Sequence, residues 1–367
     1  GNTRRGMFDL EPGDELELLV ETARRFAADE LAPHAREFEA ARSPNDRARA
    51  AYAEIGLAAL ELPAALGGAG LGALARALVN EELGAGDAGS ALALDPLGAA
   101  LYPLLELGGE DALREFALPV CEAGAGRAAL VTAGDAELEI EGERLSGRVA
   151  WVPADGVELL VVLARDGAVV VREGIHAEPL PGSGLRAAGA AELRLRGAPI
   201  AARWSDAAGA GRALARARLY VASLIVGVLR QASDFSRGYA LERVAFGRPI
   251  AHHQALAFLI VDMHSAVDGA RLLLHEAAWR VDRSLACEAP AAAAFAEAVE
   301  ASRFVGPNGV QILGGHGFMR DYPAEKYMRE ASALGLGLGG IGAAREAAGQ
   351  ALCAGGVPVS LSHGEPA

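Results

Sequence analysis

Lysine is nearly absent from this chain: Lys326 is the one lysine among 34 basic residues, the others all being arginine. Together with the excess of Ala and Gly, that bias reads as a GC-rich coding sequence and carries no functional message. Acidic residues number 48, and the formal net charge is −14. A nucleic-acid binder shows a basic face; no basic cluster is visible here, so nucleic acid is not expected as a partner. Aromatics make up only 5% of the chain, which leaves Ala, Leu and Val to fill the core and suits close helix packing. Cys121, Cys287 and Cys353 are far apart and odd in number. They argue against a disulfide framework or a metal site and fit a reducing, cytoplasmic setting. No apolar run reaches about 18 residues without a charge or a breaker, so no membrane span is expected. Residues Gly1 to Met7 hold no apolar segment of signal-peptide length.

A chain of 367 residues with 51% hydrophobic and 22% charged residues fits two or three well-packed domains. Its periodicity changes twice. Residues 8–126 read as helical: Leu19, Ala23, Phe26, Ala27 and Leu31 recur at helical spacing after the start signal Pro12-Gly13-Asp14. Pro63 and Gly67 to Gly70 mark a loop, and Pro96 and Pro103 break later helices. Residues 127–205 hold short apolar runs separated by Gly, Asp and Pro: 128–132, 138–140, 149–152, 159–163, 169–171 and 193–195. That spacing predicts a small antiparallel β domain. Residues 206–354 return to helical spacing. Val221, Leu224, Ile225, Val228 and Leu229 share one helix face; Leu256, Leu259, Ile260, Met263 and Val267 share another. Further helices are expected over 290–304 and 341–353, completing a four-helix bundle, with 355–367 as a frayed tail.

Two stretches in the C-terminal region carry chemistry. Arg243-Val-Ala-Phe-Gly-Arg-Pro-Ile250 is followed by Gln254, and Gln311-Ile-Leu-Gly-Gly-His-Gly-Phe-Met-Arg-Asp-Tyr-Pro comes later. A guanidinium fork suits a pyrophosphate, and paired glycines let backbone approach a ligand. Taken alone, Arg243 reads as a surface salt-bridge residue, and Gly314-Gly315 as a helix cap and turn. Their order and spacing resemble the flavin-binding signatures of the acyl-CoA dehydrogenase family. The helical, β, helical order resembles that family almost end to end.

The resemblance implies an α+β fold and α,β-dehydrogenation of an acyl-CoA thioester with FAD. It further implies that Arg243, Phe246, Gln254, Gln311, Gly314 and Gly315 contact the ADP half of a flavin bound mainly by a neighbouring subunit. Thr132 and Trp151 match positions on the flavin-ring side, although core packing is the simpler reading of Trp151. The family's Thr-Glu-Pro-Gly-x-Gly-Ser loop is missing after Thr132, and its Trp-Ile-Thr stretch reads Trp151-Val152-Pro153. Pro153 has neither a hydroxyl nor a backbone donor. The whole β region looks shortened.

The family's general base is a carboxylate. Its two usual positions fall here on Leu338 and Ala217, so no catalytic residue is assigned. His316 is a weak alternative base, better read as structural. His252 and His253 lack the spacing of a helical metal pair. Arg320-Asp321-Tyr322-Pro323 is expected to tie a helix hairpin through a salt bridge and a packed Tyr. The expected role is that of a base-free subunit in a bacterial heteromer, a heterotetramer for instance, acting in fatty acid or steroid side-chain degradation. FAD would be shared with a second family subunit that passes electrons to electron-transfer flavoprotein. The alternative is a homo-oligomer that reuses the fold without flavin for a binding or non-redox role.

Overall fold

The computed structural model describes residues 13–123 and 126–355. The expected start at residue 8 and the tail from 356 onward lie outside the described residues. Four helices open the chain: α1 (Asp14–Phe26), α2 (Ala35–Ala41), α3 (Asp46–Glu54) and α4 (Ala73–Leu94). Gly13 caps α1, as the start signal implies. Short helical turns follow over Gly98–Glu122. No single helix among the described residues is long and apolar enough to cross a membrane.

Helix α4 carries a break at Asp87, where φ is −169° and ψ 107°. The Asp87 carboxylate accepts from the Ser90 backbone N–H at 3.2 Å. It therefore caps a second helical segment that restarts there, as an N-cap residue does.

Eight strands follow: β1 (Ala128–Thr132), β2 (Glu137–Glu141), β3 (Arg144–Val152), β4 (Leu159–Ala164), β5 (Gly167–Val171), β6 (Ile175–Pro179), β7 (Ala191–Pro199) and β8 (Ala202–Ser205). They form two sheets, ordered β1-β4-β5-β8 and β2-β3-β7-β6. All pairings in these sheets are antiparallel except β1 with β4, which is parallel from Ala128↔Leu159 to Thr132↔Leu163. That pair departs from a purely antiparallel expectation, because a run of apolar residues fixes which faces are buried but not strand direction.

β4 is buried on both faces. Leu160 and Val162 pack into the space between the sheets, with Val149, Leu193 and Leu195 opposite. Leu159, Val161 and Leu163 point the other way and join the main helical core. The period of two along an unbroken apolar strand thus fuses the β domain to the helices.

The C-terminal bundle contains α5 (Ala207–Glu242), α6 (Gln254–Asp282), α7 (Glu288–Leu313), α8 (Ala324–Leu334) and α9 (Gly340–Cys353). A two-strand hairpin, β9 (Val244–Ala245) and β10 (Arg248–Pro249), links α5 to α6. α7 extends past its expected end at Phe304 and continues through Pro307 to Leu313. Burial of Val305, Gly306, Gly309 and Val310 holds it together, offsetting a proline cost of about 3 kcal/mol. α4 lies very close to α5. A Cβ on Gly227 would stand 2.2 Å from the Glu81 carbonyl, and one on Gly84 would stand 2.6 Å from the Leu224 carbonyl. Only glycine permits that backbone separation. The low share of aromatics is met in the same way, by small residues that let helices approach.

Candidate functional site

Two sites emerge, one beside the first half of α5 and one at its C-terminal end. The first is a cavity of about 330 Å³ where the three parts of the fold meet. Leu92, Asp95 and Leu97 come from the first part, Ala129 and Trp151 from the strands, and Tyr220 and Leu338 from the bundle. Its walls are mostly apolar, as expected of a small-molecule pocket.

Trp151 is half-buried. It lines this cavity and a neighbouring one of about 500 Å³ that reaches Ser183, Ser302 and Met328. It is therefore a partition between two spaces as well as a packed core residue. Pro153 lines the first cavity too and offers no hydroxyl. Thr132, at the end of β1, donates its hydroxyl to Asp135 Oδ2 at 2.6 Å. The same oxygen accepts from the Gly339 backbone N–H at 2.8 Å. Thr132 is thereby committed to tying the sheet to the glycine-rich loop.

Leu338 lies in that loop with φ at 59°, an uncommon conformation for leucine. Its side chain is buried against the cavity. Its carbonyl accepts from Arg218 at 3.3 Å. Burial lowers the Arg218 pKa, while nearby Asp135 opposes that shift. Ala217 is fully buried on α5 and does not line the cavity. Neither position bears an acid.

Two carboxylates do reach the wall, Asp95 and Asp135, and neither was singled out by sequence reasoning. Asp95 Oδ1 accepts from the Leu97 and Gly98 backbone N–H groups, at 3.2 and 2.9 Å. Its Oδ2 accepts from the Tyr220 hydroxyl at 2.9 Å and faces Arg76 at 3.7 Å. Both of its oxygens are thus already engaged by the fold. Behind it, Arg76 pairs with Glu61 at 3.1 Å and Arg216 with Glu61 at 2.8 Å. Arg127 also lines the cavity. The one available sequence signal was the isolated Asp95-Pro96 step, which reads only as a helix break. Arg127 reads only as a domain edge.

The second site is a cavity of about 370 Å³ around the end of α5 and the end of α7. It brings together Arg243, Gly314 and Gly315 with Tyr239, Ile250 and His316. Gly314 has φ at 58° and marks the α7 end. A Cβ on Gly314 or Gly315 would meet nothing within 4 Å, so the backbone there faces open space. Arg243 is exposed and, among the described residues, makes no ion pair. An unengaged guanidinium beside bare backbone fits the polyanionic half of a dinucleotide. Phe246, Gln254 and Gln311 are exposed and do not line this cavity. Phe246 is 96% exposed at the hairpin tip.

His253 and His316 have structural partners. His253 faces Arg248 and the Ala245 carbonyl, both at 3.2 Å, and pins the hairpin. His316 meets the Tyr239 hydroxyl at 2.8 Å and stacks on Tyr322. The expected Tyr packing is therefore present. The expected salt bridge is not: among the described residues, neither Arg320 nor Asp321 forms an ion pair. No group of His, Cys, Asp and Glu suited to a metal ion occurs among the described residues.

Family models match most of the chain. Residues 13–124 match the acyl-CoA dehydrogenase N-terminal domain, and residues 208–352 match the acyl-CoA dehydrogenase C-terminal domain. The chain is 30% identical over 348 residues to human mitochondrial short-chain specific acyl-CoA dehydrogenase, covering 86% of this chain and 84% of that one. It is 29% identical to cyclohex-1-ene-1-carbonyl-CoA dehydrogenase of Geobacter metallireducens, covering 92% and 98%. Among solved structures, butyryl-CoA dehydrogenase of Megasphaera elsdenii shares the fold, with a TM-score of 0.82 and 22% identity over 94% of this chain and all (100%) of that one. A variant of the Tcur3481-Tcur3483 steroid ACAD superposes with a TM-score of 0.81 at 27% identity, covering 94% and 99%.

Proposed function

The chain belongs to the acyl-CoA dehydrogenase family, and from that membership we propose that it is a base-free subunit of a heteromer, lending the ADP half of a flavin site to its partner. The family dehydrogenates acyl-CoA and its members bind FAD. Bound flavin supplies the acceptor for hydride.

The observation that carries this reading is the separation of the two sites. Tyr220 lines the first cavity and Tyr239 the second. Both lie on α5, nineteen residues apart, or about 28 Å at ~1.5 Å per residue. The two cavities share no lining residue, which supports a flavin site divided between subunits. In this reading a flavin gripped by Arg243, Gly314 and Gly315 places its ring in another subunit. The second site fits that use, with open glycine backbone and a free guanidinium. The first site does not fit the ring chemistry: Thr132 is already bonded, Pro153 has no hydroxyl, and Leu338 and Ala217 carry no carboxylate.

In this reading the partner holds the base and the ring pocket and passes electrons to an electron-transfer flavoprotein. The present chain supplies Arg243, Gly314 and Gly315, with Phe246, Gln254 and Gln311 reaching the partner from the exposed rim. The likeness to a steroid ACAD supports a fatty-acyl or steroid side-chain thioester as the substrate class. Pairing of two unlike chains breaks an isologous dimer and halves the number of working centres. The composition fits a cytoplasmic assembly.

The test is the visible spectrum of the purified chain, alone and after co-expression with the nearest intact family member. Flavin absorbance near ~450 nm only in the mixed complex supports the shared site. Stoichiometric flavin in the chain alone overturns it. A colourless homo-oligomer that recruits no second chain points to the flavin-free binding role instead.

A further inference from the structure

The first cavity has an uncompensated positive end. Beneath it, charged residues pair off: Glu61, Asp95 and Glu106 against Arg76, Arg216 and Arg212. Arg127 stands outside this network. Its Nε is buried and makes no hydrogen bond. Its Nη2 reaches only the Pro153 carbonyl, at 3.4 Å. Among the described residues, no carboxylate pairs with it. Arg49 adds a second positive charge to its surroundings, and donates to the Ser43 hydroxyl at 2.7 Å. The carboxylates within electrostatic range are Asp95 and Asp155. Asp95 is saturated, as described above, and Asp155 is held by Arg42. A guanidinium has five donors. Here, among the described residues, the long contact to Pro153 is its one side-chain hydrogen bond and the buried Nε has none, an arrangement that costs free energy until an oxygen arrives.

The cavity has a direction. β1 runs along it, with Arg127 just before its first residue and Thr132 as its last. Those two Cα atoms are five strand steps apart, about 16 Å at ~3.3 Å per residue. Thr132 adjoins Asp135 and Gly339, and thus Leu338, at the position where the family's chemistry takes place. Between the two ends the wall is Ala129, Val131, Val149 and Leu334. An apolar tube therefore leads from the loop to an unpaired cation.

We propose that this cavity takes an acyl thioester whose remote end carries a carboxylate, bound by Arg127, so that the ligand class is a CoA monothioester of a dicarboxylic acid. The proposal takes from the family membership above that this cavity, though without a base, still receives an acyl thioester, and adds what lies at its far end. Plain fatty acyl chains leave Arg127 unsatisfied. A remote carboxylate accepts two of its N–H groups in the fork geometry that arginine favours.

The test is isothermal titration calorimetry on the full chain with octanoyl-CoA and suberoyl-CoA, which differ only in the remote carboxylate. Shared charges on the CoA moiety cancel in the comparison. Suberoyl-CoA is expected to bind about tenfold or more tightly, the effect of charge-assisted hydrogen bonds. Arg127→Gln should remove that preference while leaving octanoyl-CoA affinity within about twofold, and Arg127→Lys should retain part of it. Equal affinities in the unsubstituted chain, or a preference that survives Arg127→Gln, overturn the proposal. The first of these needs no variant to fold. Binding of octanoyl-CoA without a preference removes this proposal alone; binding of neither thioester removes the acyl-CoA reading of the cavity as well.

Discussion

The Tyr239 hydroxyl lies 2.8 Å from Nδ1 of His316, and the same imidazole stacks on Tyr322 with ring centroids 4.8 Å apart. The end of α5 is thus joined to the turn after α7, and the wall of the second cavity is fixed by an aromatic stack. His316 is a strut here, held away from the cavity that faces Leu338. His316→Ala should lower stability by about 1–2 kcal/mol through the lost hydrogen bond and stacking. Denaturant unfolding measures that loss. A pH–rate profile of the mixed complex should keep its shape; abolished turnover with flavin still bound would instead mark His316 as the base.

Arg243 is exposed and free of ion pairs among the described residues, so its removal should leave the fold alone. Arg243→Ala is expected to change stability by no more than about 0.5 kcal/mol. Flavin affinity of the mixed complex should fall about tenfold or more. Flavin released on dilution, read by absorbance, checks this. Unchanged flavin content sinks the donor role.

Asp135 is the carboxylate next to Leu338 through its bond to the Gly339 backbone N–H. In Asp135→Asn the amide oxygen can still accept from Thr132 and Gly339, while the charge is lost. Turnover of the mixed complex should stay within about twofold. A loss of about a hundredfold or more is the signature of a removed general base and would assign that role to Asp135, contradicting a base-free subunit.

Glu330 is fully enclosed beside Lys326 and Asp87, the chain's one lysine lying between the two carboxylates. Burial is the largest influence on Glu330; Lys326 opposes it and Asp87 reinforces it, and the carboxyl is pushed up to about 7 from an ordinary 4.5. The folded state therefore holds this proton more tightly than the unfolded chain. Its contribution to stability is full below about pH 4.5 and is lost as pH rises toward about 7. Glu330→Gln should flatten that part of the stability profile. Urea unfolding at several pH values, with the two proteins compared, decides; parallel profiles would refute the assignment. Lys326 is also shifted upward, by the same two carboxylates against its own burial, and stays charged throughout this window. Lys326→Met should cost about 3–5 kcal/mol, because it leaves buried carboxylates without their cation.

Much of the fold is legible in the residues. Runs such as Leu159 to Leu163 and Val169 to Val171 read as strands because they are continuous, apolar and bounded by turn formers. β6, Ile175-His-Ala-Glu-Pro179, and β8, Ala202-Arg-Trp-Ser205, went unread. They are polar edge strands whose pairing comes from β7 and β5 rather than from local preference. Pro307 suggests a helix end and lies inside one, since tertiary burial outweighs the local cost.

The second cavity was half legible: Arg243, Gly314 and Gly315 come from two short motifs that the fold joins, while Phe246, Gln254 and Gln311 of the same motifs lie outside it. The first site was only half legible. Leu338, Trp151 and Thr132 could be placed through the resemblance to the family's motifs. The importance of Asp95, Arg127 and Tyr220 arises from three distant segments meeting, and no local pattern announces it.

The two cavities share no lining residue, yet both are anchored on α5. Inheritance can therefore act on them separately. After a gene is copied, one copy can lose its reactive groups beside the first half of the helix without loosening the nucleotide grip at its end. A fold arranged in this way lends itself to a division of labour between duplicated chains, in which the silent copy remains indispensable to its working sibling.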